Sequence, residues 1–100
     1  MPLRTHEGRL LDLSQALGGR DINPHSIRIL LAYDLKYSYR RKIPHFERMV
    51  QKYRSFGLYY GITTDKLLTL EEIGSIIGIT GAYVQQNKTW MRDYLGRILR

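Results

Sequence analysis

Gln85 and Gln86 stand side by side in "TGAYVQQNKT", residues 80–89. A carboxamide can meet both hydrogen-bonding positions on the major-groove edge of adenine. If the run is helical, Thr80, Tyr83 and Thr89 lie within about a turn of these amides. Lys88 and Arg92 follow with charges suited to phosphate oxygens. This is the chemistry of reading a base sequence, with A·T-leaning contacts, because arginine rather than glutamine suits guanine.

Catalytic chemistry is poorly provided for. Cysteine is absent, so no thiol nucleophile, disulfide framework or zinc knuckle is available. His6, His25 and His45 are too scattered for a metal-ligand set. "GSIIGITG" has glycines but lacks the lysine and strand of a phosphate-binding loop. Glu71 and Glu72 are neighbours on a helix and diverge, while Glu7 and Asp12 have no evident partner. The expectation is a protein that is not an enzyme and that needs neither cofactor nor metal.

Charge points to an anionic partner. Lys and Arg number 16 against 9 acids, a formal charge of +7, and each phosphate neutralised by such a cation releases counterions. Arg40, Arg41 and Lys42, with Arg48, Lys52 and Arg54, form the strongest basic group. They read either as a phosphate track, joined by Tyr37 and Tyr39, or as plain solvation of helix ends. The opening "MPLRTHEGRLLDLS" lacks the apolar core of a secretion signal, and no segment approaches a membrane span. A cytoplasmic location is expected.

Every regular pattern is helical. "RLLDLSQAL", residues 9–17, carries Leu10, Leu13 and Leu17 at helical spacing and stops at Gly18-Gly19. Asn23 as N-cap and Pro24 at the first helical position start a second helix. Its stripe is Ile27, Leu30, Leu31 and Leu35, and it closes on Arg40-Arg41-Lys42. Pro44 predicts the start of a third, with Phe46, Met49, Val50, Tyr53 and Phe56 on one side and Gly57 as its end. A loop through "GLYYGITTDKLL" follows. Thr69 and Glu72 have the spacing of a capping box for a fourth helix ending near Ile77. Thr80 can cap a fifth running toward Leu99.

The last two helices have the requirements of a helix-turn-helix. Gly74 offers a small residue where the helices cross, and Gly78 can take the positive φ of the turn. Ile73, Ile77, Ile79 and Val84 are spaced to fill the angle. Asn87 stands at an inner position that an apolar residue would normally hold. Thr69, with the helix amides behind it, is placed for a phosphate.

"LTLEEIG", then "IIGIT" and a long polar helix, resembles region four of bacterial sigma factors, the promoter-binding C-terminal domain. "IPHFERMV" followed by "FGL" is similar to the proline-started helix that precedes it there. The resemblance covers residues 43–99 and is strongest at "LTLEEIG". It implies contact with double-stranded promoter DNA and, as a hypothesis, with the β flap of RNA polymerase. The family's recognition helix starts arginine-glutamate-arginine-x-arginine-glutamine. Here Gly81, Ala82, Tyr83, Val84, Gln85 and Gln86 occupy those positions, so the base-reading set differs. "LSQALGGRDINPHSI" is a fainter upstream echo, with Ala16 as its small residue and Ile22-Asn23 preceding Ile27.

The expected architecture is all-α, about five helices, with an N-terminal helical segment over 1–42 and a helix-turn-helix domain over 43–100. The expected base-reading residues are Thr80, Tyr83, Gln85, Gln86 and Thr89. The expected phosphate contacts are Thr69, Lys88, Arg92, Arg40, Arg41, Lys42, Lys52 and Arg54. The expected role is transcription regulation on promoter DNA, as an accessory factor of the polymerase or as an independent repressor. The alternative is a module that mimics region four and docks on RNA polymerase or a sigma partner without reading DNA. Tyr59, Tyr60, Trp90 and Tyr94 are the aromatics suited to a protein contact, with buried packing the stronger expectation for Trp90.

Overall fold

Local signals decide where the helices begin. Asn23 takes extended backbone, and its side-chain oxygen accepts from the amides of His25 (2.9 Å) and Ser26 (3.4 Å), with Pro24 at the first helical position. Thr69 and Glu72 form a reciprocal box: the Glu72 amide donates to Thr69 Oγ1 at 3.1 Å, and the Thr69 amide donates to Glu72 Oε1 at 3.0 Å. Thr80 Oγ1 accepts from the Tyr83 amide at 3.1 Å and caps the last helix.

The computed structural model describes residues 6–19, 23–42 and 44–99. They form five helices and no strand: α1 (His6–Ala16), α2 (Pro24–Arg40), α3 (Phe46–Tyr59), α4 (Leu70–Ile77) and α5 (Gly81–Leu99). The chain is all-α. Ile22 of the upstream echo and Ile43 at the start of the second segment lie outside the described residues. No helix among the described residues is long and apolar enough to cross a membrane.

Helix α3 departs from expectation at both ends. It starts at Phe46 rather than Pro44, because His45 adopts a left-handed conformation (φ 62°) that breaks the helical path. It runs through Gly57 and ends at Tyr59. Gly57 serves a close approach instead: the loop folds back so that the amides of Ile62 and Thr63 donate to its carbonyl at 2.9 and 3.2 Å. A Cβ there would lie 3.0 Å from the Thr63 side chain.

Helices α3, α4 and α5 pack on one another, α2 covers α3, and α1 lies along α5. Tyr53 and Phe56 of α3, Ile73 of α4, and Val84, Met91 and Leu95 of α5 are buried in one cluster. Leu13 and Leu17 join it from the α1 side, Ile27 and Leu31 from α2, and Tyr59, Tyr60 and Ile62 from the end of α3 and the loop. Full burial of each aliphatic side chain contributes roughly 1.5–3 kcal/mol. The upstream echo is arranged differently from the α4–α5 pair, since α1 rests on α5 while α2 rests on α3.

Candidate nucleic-acid interface

The candidate surface is built by the turn between α4 and α5. Gly78 takes φ 91°, a conformation most side chains resist, and its amide closes α4 on the Gly74 carbonyl at 2.7 Å. The Ile79 amide bonds the same carbonyl at 2.9 Å. At Gly74 the incoming turn passes so close that a Cβ would collide with the Ile79 carbonyl oxygen and lie 3.2 Å from the Thr80 carbonyl carbon. The two glycines thus fix the direction in which α5 leaves α4.

That direction sets which face of α5 is free. Val84, Asn87, Lys88, Met91 and Leu95 are buried. Thr80, Tyr83, Gln85 and Gln86 are exposed, and Thr89 is half-buried. The five residues expected to read bases therefore lie outside the buried stripe of α5's N-terminal half, with Tyr83 and Gln85 on opposite margins of the exposed face. Thr80 has a second task, since its hydroxyl oxygen is the cap acceptor.

The expected phosphate contacts fare differently. Lys88 is buried at 4% exposure, with Nζ 4.3 Å from the centre of the Tyr59 ring and 5.9 Å from that of Tyr60. Burial pulls its ammonium below the ordinary lysine range. Expectation failed here because the amine is held by two rings from outside α5, so it points inward. Tyr59 and Tyr60 are correspondingly core residues, not an exposed protein-binding pair. Arg92 is engaged by Asp12 and Asp93, each at 3.3 Å. Thr69 spends its hydroxyl and amide on the capping box, where the Glu72 carboxylate already occupies the helix end that a phosphate would need. The bonds from Thr69 hold that carboxyl below its usual range.

The basic group does not form one track. Lys52 lies with Nζ 4.8 Å from the Trp90 ring, facing α5. Arg54 lines a groove on the other flank of α3, beside Leu31 and Leu35 of α2. Arg40, Arg41 and Lys42 are exposed at the far end of α2.

Two polar clusters were not anticipated. Asn87, the apparent flaw of the pattern, donates from Nδ2 to Ser55 Oγ at 3.4 Å across the buried α3–α5 interface. Ser55 lies off the apolar stripe of α3, so the spacing of that helix gave no signal for its burial. Beneath α1, Arg9 donates to the Tyr59 carbonyl at 2.8 Å and stacks 4.1 Å from the centre of its ring. The Tyr60 hydroxyl donates to Asp12 Oδ2 at 2.7 Å, the oxygen that Arg92 also meets. Nothing short-range in the sequence links residue 12 to residues 60 and 92. Trp90 is 38% exposed and stacks on the half-buried Tyr94 with ring centres 5.3 Å apart, an aromatic pair on α5 apart from the exposed Tyr83.

No protein-family model matches the chain, and no curated protein or solved structure matches it either.

Proposed function

We propose that this chain is a cytoplasmic, DNA-binding transcription regulator that uses α4, the Gly78 turn and α5 as a helix-turn-helix. The observation that carries the reading is the exposure of three uncharged, hydrogen-bonding side chains, Tyr83, Gln85 and Gln86, early on a helix whose direction the α4 crossing fixes. A helix of this kind enters the major groove N-terminus first. Gln85 and Gln86 meet base edges, Tyr83 and Thr89 flank them, and cations outside α5's first turns supply the phosphate attraction. The resemblance of "LTLEEIG" to sigma region four supports promoter DNA as the target. It also suggests RNA polymerase as a second partner, received by an apolar groove of about 360 Å³ between α2, α3 and α4 that includes Leu31, Leu35, Leu58 and Ile76.

A second reading has its own observation. Gly81 to Met91 contains one formal charge, Lys88, and that is buried, while the Glu71 carboxylate lies against Gly81. A surface so poor in cations also suits a module that docks on the transcription machinery without touching DNA. A gel shift with mixed-sequence duplex across a salt series separates the two. Binding that weakens as salt rises supports the DNA reading, and no binding even at low salt overturns it. Capture of core RNA polymerase in a pull-down distinguishes an accessory factor from an independent repressor.

A further inference from the structure

Helix α2 faces the core through Ile27 and Leu31, yet its opposite face carries exposed apolar and aromatic side chains among its cations. Tyr33 is 73% exposed and Tyr37 51%, one turn apart, and Ile29 precedes them by another turn. Tyr33, Lys36, Tyr37 and Arg40 line one shallow hollow of about 120 Å³. Arg41 closes its lower end, donating from Nη1 to the Tyr37 hydroxyl at 2.9 Å with its guanidinium 5.5 Å from the centre of that ring. The only acid in α2, Asp34, is half-buried on another side, where it accepts from the Tyr53 hydroxyl. Tyr33 makes no hydrogen bond or ring contact with a described residue.

From this we infer that the outer face of α2 binds an unpaired nucleic-acid strand. Exposed rings interleaved with cations, and with no carboxylate among them, are what a single strand requires: π-faces for bases and positive charge for its backbone. Spacing favours a strand over a duplex. One helical turn separates the two rings by roughly 6 Å, against about 3.4 Å between stacked bases of a duplex strand, so each ring takes one base of a drawn-out chain. The charge pattern also argues against a second copy of this chain, because like-charged faces would meet. The inference uses no residue of α5, and the two readings fail separately.

The test is fluorescence anisotropy of a labelled oligothymidylate and an oligouridylate, each roughly 16 nucleotides long, with the full chain at low salt. Both sugars are included because the stacking surface itself does not choose between DNA and RNA. Tyr33→Ala with Tyr37→Ala is expected to weaken binding of the preferred strand by about tenfold or more. Tyr33→Phe with Tyr37→Phe is expected to keep it within about twofold, since the ring rather than the hydroxyl does the stacking. Gln85→Ala with Gln86→Ala is expected to leave strand binding unchanged. Any one of four results overturns the proposal: neither oligonucleotide binds; the alanine pair binds as tightly as the parent; the phenylalanine pair fails as the alanine pair does; or polyglutamate displaces the strand at equal charge. A dimer in sedimentation that the alanine pair disperses would assign the face to self-association and overturn it as well.

Discussion

Lys88 shows how one side chain can reverse its apparent role. Beside two glutamines on a polar helix it reads as a phosphate ligand, yet its amine is stacked on Tyr59 inside the protein. Lys88→Met keeps the apolar stem and removes the buried charge. A lysine on a phosphate would lower the salt slope of DNA binding by about 1 when replaced. Lys88→Met is expected to leave that slope unchanged. Its effect is expected in the pH dependence of stability. Burial holds the folded-state value below the ordinary 10.5, so just under 10.5 the unfolded chain binds more protons and stability rises with pH. Tyr60 acts the other way: burial, then its bond to Asp12, hold the hydroxyl above its ordinary 10.0. The unfolded chain releases that proton first, and stability falls as pH passes 10.0. Urea midpoints measured across the alkaline range should lose the rise in Lys88→Met and keep the fall.

At the scale of elements, the signals that were legible are those whose cause is local. The Asn23 cap, the Thr69–Glu72 box and the Gly78 turn each involve residues within a few positions, and each forms as the sequence predicts. The end of α3 was not legible, because Gly57 looks like a terminator and is instead the place where Thr63 returns against the helix. The lysine turns inward onto Tyr59 and Tyr60 at the end of α3, and those rings are in turn held by Arg9 and Asp12 of α1 from far away in the chain, which no periodicity records. The exposed face of α5 was legible because it is whatever the apolar spacing of that helix leaves outside. Two substitutions test the crossing. Gly74→Ala forces a methyl group into the Ile79 carbonyl, and overpacking of this kind costs roughly 1–3 kcal/mol. Gly78→Ala has open space around it and is expected to cost only the left-handed backbone penalty, about 1–2 kcal/mol. Thermal melts of the two variants check the order. If Gly74→Ala melts like the parent, the helices do not cross as described.

For the molecule as a whole, polar contacts join segments distant in sequence. Asp12 of α1 is the acceptor for both Tyr60 and Arg92, and with Arg9 it ties the N-terminal helix to the loop and to α5. Asp12→Ala leaves those donors without their carboxylate while Lys88 remains buried nearby. The expected loss is roughly 1–3 kcal/mol in urea unfolding, at the lower end because the ion pair is partly open to water. Asp12→Asn, which still accepts from Tyr60, is expected to recover part of it. Equal stability of Asp12→Ala and the parent would mean that α1 is held by apolar contacts alone.

The DNA reading is decided most directly by competition between A·T-rich and G·C-rich duplexes for the parent chain and for Gln85→Ala with Gln86→Ala. The parent is expected to favour the A·T-rich duplex by about fivefold or more, as amide contacts to adenine require. The double variant is expected to lose that preference and keep the same salt slope. Identical affinity and preference in the two proteins would show that α5 does not read bases.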